Sequence, residues 1–309
     1  MKMKNSVLSK IHWLGFTVHA EKRASQHLYN QVFKDYLGEL SDLGHGGSGY
    51  RSIQRSALEF KLYTSPITAE QEHFHFDIPG SACDAILPTM FLGLVRYLEQ
   101  HYSEAYNFTR LDLAFDHLEF APQDVEEALV SGLVRTLAKR ESIRSFKSPF
   151  QPKDNGETGT YTVELGANRS ERMITVYNKR GYTRLEFQTR GDRADAVAKD
   201  LLSSPDVNDW FALMLAHLLD FVDFETDWWT AFKTSQGRAN TKVSSAKQIT
   251  AERLITWIDG QVAPALSALE DAYPDKLIPK LIERGRKRRG NKYDALFLED
   301  NPGEDKNNE

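Results

Sequence analysis

Residues 171–190 read ERMITVYNKRGYTRLEFQTR. Ile174 and Val176 alternate with Thr175 and Tyr177, and Leu185 and Phe187 alternate with Arg184 and Glu186. A period of two marks half-buried strands, and Arg180-Gly181 between them marks a tight turn. Alternation places Thr175, Tyr177 and Lys179 on one face of the first strand. It places Tyr182, Arg184, Glu186 and Gln188 on one face of the second. With a two-residue turn, Tyr177 stands opposite Arg184 and diagonal to Glu186. A phenol, two cations and a carboxylate then share one sheet surface, which is either solvated or a site.

The next informative stretch lies upstream, FTRLDLAFDHLEF at 108–120. As a strand it carries Arg110, Asp112, Ala114 and Asp116 on one face and Leu111, Leu113 and Phe115 on the other. Two carboxylates separated by an alanine repel each other unless a cation sits nearby. Mg²⁺ or Mn²⁺ is one such cation, since hard divalent ions take one or two carboxylates together with water and phosphate oxygens. A hairpin laid beside this strand adds Glu186 to Asp112 and Asp116 as metal ligands. The other reading is a structural network in which Arg110 or Arg184 pairs with the carboxylates.

Tyrosine is a weak nucleophile at neutral pH because its phenol ionises near ~10. A metal on the target phosphate and a cation such as Lys179 or Arg184 assist its attack. The product is a phosphotyrosine ester, which keeps the energy of the broken phosphodiester for rejoining. A rival metal site is HFH at 73–75, where His73 and His75 flank Phe74 and face the same way. The glycine-rich GHGGSGY (44–50) lacks the lysine and Ser/Thr of a phosphate-cradling loop and reads as a connection. Cys83 reads as a small buried apolar residue.

Taken in order, the chain runs through one pattern twice. IHWLGFTVHA (11–20) is a strand, ASQHLYNQVFKDYLGEL (24–40) a helix, and YRSIQRSALEFKLYTS and EHFHFDIPG are strands. An apolar helix follows, interrupted at Pro88. Then come the 108–120 strand, a helix over 122–140, a polar loop, three meandering strands and the helix of ADAVAKDLL. The predicted fold is α+β: two similar antiparallel-sheet units, pseudo-duplicated as strand-helix-strands-helix, forming a catalytic core with a helical C-terminal portion. The expected divisions are 1–105, 106–205 with the tyrosine–carboxylate face, a helical C-terminal region 206–298, and a disordered acidic tail 299–309.

Composition narrows the class. The chain has 309 residues, a formal net charge of −5 and 40% hydrophobic residues, the profile of a globular protein with room for a large core. One cysteine excludes an internal disulfide and fits a reducing cytoplasm. No apolar run reaches membrane-spanning length and no signal-like segment follows the start. The acidic balance argues against a uniformly basic polyanion binder, so nucleic-acid contacts must come from patches. Candidate patches are Arg51 and Arg55, the segment SIRSFKSPFQPK (142–153) with Arg144, Lys147 and Lys153, and the run with Arg286, Lys287, Arg288 and Arg289.

HWLGFTV, PGSACDAI (79–86), RLDLAFD (110–116), the YTVELGANRSERMITVYNKR pair and RLEFQTRG together resemble the replication initiation factor (Rep_trans) family. That family holds rolling-circle initiators of plasmids, replication proteins of filamentous phages and nicking relaxases of integrative elements. The resemblance implies a metal-dependent, site-specific nick of one origin strand. Tyr177 would be the nucleophile that keeps the 5′ phosphate, with Asp112, Asp116 and Glu186 holding Mg²⁺ or Mn²⁺. Lys179 and Arg184 would assist, and Arg110 would join the basic patches in DNA contact. The freed 3′ hydroxyl would prime a host DNA polymerase behind a PcrA/Rep-type helicase. Double-stranded or cruciform origin DNA and single-stranded DNA are the expected partners; some relatives act as homodimers. Two alternatives stay open: a non-catalytic origin-binding regulator on the same scaffold, and a nuclease that uses the His73/His75 pair for its metal.

Overall fold

The computed structural model describes residues 7–68, 71–103, 105–147, 161–179, 181–235, 238–239, 255, 258–273 and 277–288. The chain divides into two compact units, Met1–Val243 and Ser244–Glu309.

In the first unit the strands are β1 (Leu8–Val18), β2 (Ser41–Asp42), β3 (Tyr50–Arg55), β4 (Lys61–Pro66), β5 (Phe74–Ile78) and β6 (Tyr106–Leu118). They continue with β7 (Val134–Thr136), β8 (Ile143–Lys147), β9 (Tyr161–Leu165), β10 (Arg172–Lys179), β11 (Tyr182–Arg190), β12 (Val222–Phe224) and β13 (Arg238–Ala239). The helices are α1 (Lys22–Val32), α2 (Lys34–Leu37), α3 (Gly80–Cys83), α4 (Pro88–Tyr102), α5 (Pro122–Val130), α6 (Gly191–Leu202), α7 (Trp210–Leu219) and α8 (Asp227–Lys233).

One large sheet dominates, in the order β2-β3-β4-β5-β1-β6-β11-β10-β9-β8, with β13 paired to β1. Among the described residues every pair on the main path is antiparallel, and β13 alone runs parallel to its neighbour. The path is symmetrical about the β1–β6 pair. β1 is followed by α1, the β3–β5 meander and α4, and pairs with the last meander strand, β5. β6 is followed by α5, the β9–β11 meander and α6, and pairs with β11.

The side-chain period of two sorts the sheet into two faces. Leu14, Phe16, Phe74, Phe76, Leu111, Leu113, Phe115, Ile174, Val176, Leu185 and Phe187 are buried in a single hydrophobic cluster with residues of α1, α4, α5, α6 and α7. Phe16 meets Phe33, Phe115 meets Phe211 on α7, and Phe187 stacks near Phe221 at 5.9 Å. Aromatic packing at these spacings adds to the area term. The opposite face carries the polar alternates, Tyr177, Arg184, Glu186, Asp112 and Asp116 among them.

Three expectations need correction. The helix expected over 122–140 stops at Val130, because Gly132 adopts φ 71° and the chain turns into β7, which pairs with β12. The polar loop expected after it begins as an edge strand, β8, whose backbone groups find partners on β9. The region after 206 is not helix only: β12 separates α7 from α8, and β13 adds to β1.

In the second unit, a π-helical turn at Ile258–Val262 leads into α9 (Ala263–Ala272). Pro264 lies in the first turn of α9, where a missing N–H costs nothing. α10 (Leu277–Arg288) follows. The acidic tail 299–309 lies outside the described residues.

Candidate active site

The hairpin has the register expected of a two-residue turn: Lys179 pairs with Tyr182 and Tyr177 with Arg184. Gly181 takes φ 91°, a conformation that needs no Cβ. Asp116 on β6 pairs with Arg184 on its other side, so Tyr177, Arg184 and Asp116 form one lateral row. In the next row Thr175, Glu186, Ala114 and Lys10 run from β10 to β1.

Arg184 is the anchor of this arrangement. It is fully buried and grips Asp116 with two parallel bonds, Nε to Oδ1 at 2.5 Å and Nη2 to Oδ2 at 2.6 Å. Burial opposes its charge, but the Asp116 fork outweighs that and holds the proton more tightly than usual. Its remaining nitrogen, Nη1, reaches Glu186 and His12, each at 3.4 Å. Arg110 grips Asp112 in the same way, Nε to Oδ1 at 3.0 Å and Nη2 to Oδ2 at 2.6 Å. Burial still raises the Asp112 pKa, with Arg110 acting against the shift and Glu186 adding to it.

Tyr177 donates its phenolic proton to Glu186 Oε1 at 2.6 Å. Burial, then the Glu186 charge, pushes the phenol above its ordinary value, while Arg184 pulls the other way. Lys179, on the same face, is lowered to about 8, first by burial and then by Arg184 and Lys10. Tyr182 lies at the hairpin end, also on this face, with its ring 4.4 Å from His117.

His12 carries no chemical signature in the sequence, yet it completes the cluster. Pairing of β1 with β6 slips between Ile11 and Trp13, which inserts His12 as an extra residue in the strand. Its Nε2 lies 3.2 Å from Glu186 Oε1. Ala114, between the two on β6, is short enough to leave them room. Burial lowers the His12 pKa to about 2, with Arg184, Lys179, Lys10 and Arg110 acting in the same direction. Burial and four nearby cations keep the ring neutral, so its contact with Glu186 is not an ion pair. Gly80, which opens α3, makes the ring's position available: a Cβ there would fall 2.2 Å from His12 Cε1. Lys10 pairs with Asp84, just past α3.

The structure therefore brings Tyr177, Lys179, Arg184, Asp112, Asp116, Glu186 and Arg110 onto one face. Arg144 shares that face and pairs with Glu164 at 3.1 Å. Lys147 does not: it reaches back to Glu126 on α5 at 3.3 Å. His73 and His75 do face one way, but β5 lies four strands from β10, about 19 Å at ordinary strand spacing. Their Nδ1 atoms are engaged, His75 with Thr17 Oγ1 at 3.0 Å and His73 with the Gln71 carbonyl at 3.2 Å. Arg286 is exposed on α10. Lys287 and Arg288 lie on α10 with side chains outside the description, and Lys153 and Arg289 lie outside the described residues.

Among the described residues no set of three or more His, Cys, Asp or Glu side chains is close enough to hold a metal. Each aspartate is instead forked by an arginine. Glu186 and neutral His12 offer a carboxylate oxygen and an imidazole nitrogen 3.2 Å apart. That donor pair fits a small divalent ion, which commonly keeps water and phosphate oxygens in its remaining positions.

The sequence matches the replication initiation factor family over residues 106–282, more than half of the chain and including β6, β10 and β11. The chain belongs to that family. This replication initiation factor is also similar in fold to a solved structure, the rolling circle replication initiator protein from Geobacillus stearothermophilus. The two share 18% identity and a TM-score of 0.59, over 76% of this chain and 99% of that one. No curated protein matches the sequence.

Proposed function

We propose that this replication initiation factor starts rolling-circle replication by nicking one origin strand with Tyr177. The single observation that carries the reading is the Tyr177 hydroxyl donating to Glu186 at 2.6 Å beside a buried, charged Arg184. A phenol raised above its ordinary value does not ionise unaided at neutral pH. Glu186 is placed to take the proton as Tyr177 Oη attacks the phosphorus. The P–O3′ bond breaks, the 5′ phosphate stays on Tyr177, and the 3′ oxygen takes a proton from water. Arg184 and Lys179 offset the charge that develops on the phosphate.

A bound Mg²⁺ or Mn²⁺ would polarise the phosphate. Glu186 and His12 are the donors best disposed to hold it. Asp112 and Asp116 would join only by releasing one arm of their arginine forks, an exchange that a phosphate arriving on Arg110 or Arg184 favours. Arg110, Arg144 and the basic end of α10 would contact origin DNA. The free 3′ hydroxyl would then prime a host polymerase behind a helicase of the PcrA/Rep type in the cytoplasm. The matching connectivity of the β1 and β6 halves supports their reading as two copies of one unit, the second of which keeps the nucleophile.

The test is incubation with single-stranded DNA of its own replicon and Mn²⁺, followed by a denaturing gel. A slower-migrating protein–DNA adduct, absent in Tyr177→Phe, is expected. Nicking that persists in the Phe variant refutes the assignment, and origin binding with no adduct under any metal favours a regulator.

A further inference from the structure

The polar face does not end at the nicking cluster; it continues across β1, β5, β4 and β3 with a different chemistry. Tyr63, His75 and Thr17 form one lateral row there, and Trp13 follows on β1. Tyr50 packs against both His73 and Tyr63, at 5.4 and 5.7 Å between ring centroids. His75 lies 5.7 Å from Tyr63. Cations accompany the rings. Arg110, forked to Asp112, sits over the Trp13 ring at 3.9 Å, and Arg51 and Lys22 line a cleft together with His73 and Glu72 at the far edge. The acid nearest Trp13, Asp77, is taken up by the indole N–H at 2.5 Å.

The two halves can be compared strand for strand. β4 holds in the first half the place that β10 holds in the second, and each carries a tyrosine on this face, Tyr63 and Tyr177. Where the second half surrounds its tyrosine with buried arginine–carboxylate pairs, the first offers imidazole, phenol and indole rings. Such a surface has no machinery for cleavage. Tyr63 itself is buried, but Tyr50, His73 and Trp13 stay partly exposed, so the face has the two things a single nucleic-acid strand requires: ring surface for unstacked bases and nearby cations for phosphates. A duplex hides its base faces and uses only the cations.

We infer that the first-half face, from Trp13–Arg110 to Tyr50 and His73, is a single-strand DNA track that delivers the melted origin strand to Tyr177. From β10 to β4 the track crosses five strand spacings, about 24 Å. The destination of the strand rests on the nicking reading; the binding itself does not.

The test separates the two by using full-length protein carrying Tyr177→Phe, which captures no DNA covalently. The probe is a fluorescein-labelled 20-mer of thymidylate, read by fluorescence anisotropy. Tyr50→Ala and His73→Ala, each checked for an unchanged melting curve, should weaken binding by roughly five- to a hundredfold. Arg51→Ala should reduce the salt slope of log K by about 0.7, whereas the two ring variants should leave it unchanged. Unlabelled duplex of the same length should compete poorly. Unchanged affinity in both ring variants, or duplex that competes as well as single strand, overturns the track. A protein that binds this probe through these residues yet never nicks leaves the track standing and removes only the chemistry.

Discussion

Glu186→Gln separates the two jobs that Glu186 could do. The amide keeps the size and one acceptor oxygen of the carboxylate, so Tyr177 retains a hydrogen-bond partner and Arg184 keeps its fork on Asp116. What disappears is the ability to take the phenolic proton at 2.6 Å. Removing a positioned base costs about 10²- to 10⁴-fold in rate, or ~3–5 kcal/mol of barrier. The phenol is already raised by burial, so the upper part of that range is expected. The assay is the single-turnover rate of adduct formation at saturating oligonucleotide, followed over a wide range of Mn²⁺. If Glu186 served only as a metal donor, excess Mn²⁺ would restore the rate. As the proton acceptor it cannot be replaced in that way, and the loss persists at every Mn²⁺ level. A loss smaller than about tenfold, or full recovery with Mn²⁺, refutes the reasoning.

The remaining predictions follow from the same geometry. Asp116→Ala strands a buried guanidinium and should cost about 3–5 kcal/mol. At roughly 2–4 °C per kcal/mol for a body of this size, calorimetry should show the melting temperature fall by roughly 6–20 °C, while Asp116→Leu with Arg184→Met regains most of the stability and still does not nick. Lys179, lowered to about 8, is a cation at pH 7 and neutral in the folded protein above that value. Nicking kcat/KM should therefore fall as pH rises through about 8, and Lys179→Arg should abolish that fall. Between that value and the ordinary lysine range the unfolded chain binds the extra proton, so this group's contribution to stability rises with pH there. Gly80→Ala places a methyl in the space of the His12 ring; adduct formation should drop to the level of His12→Ala with little change in melting temperature.

Much of the site was legible from alternation alone. The YNK…RLE hairpin declared itself because apolar and polar residues alternate on both sides of a glycine turn, and the observed pairing of Tyr177 with Arg184 follows from that spacing. The RLDLAFD strand was equally plain, but not what its carboxylates do. Whether a buried carboxylate takes an arginine or a metal depends on distances across strands, and the structure gives both aspartates an arginine. His12 was illegible for a different reason. A histidine in an apolar strand has no signature, and the bulge that turns it toward Glu186 exists only once β1 pairs with β6. β8 was missed because its stabilising partner, β9, lies beyond a polar stretch; α5 was drawn too long because Gly132 was weighed against an otherwise helical pattern.

The central claim is that a particular oxygen among twelve tyrosines carries the DNA. Trypsin and nuclease digestion of the isolated adduct, followed by mass spectrometry, reads that directly. The account predicts a nucleotide on the peptide MITVYNK, residues 173–179, attached at Tyr177. Attachment at Tyr182 or any other tyrosine, or nicked DNA with no residue modified, would contradict it.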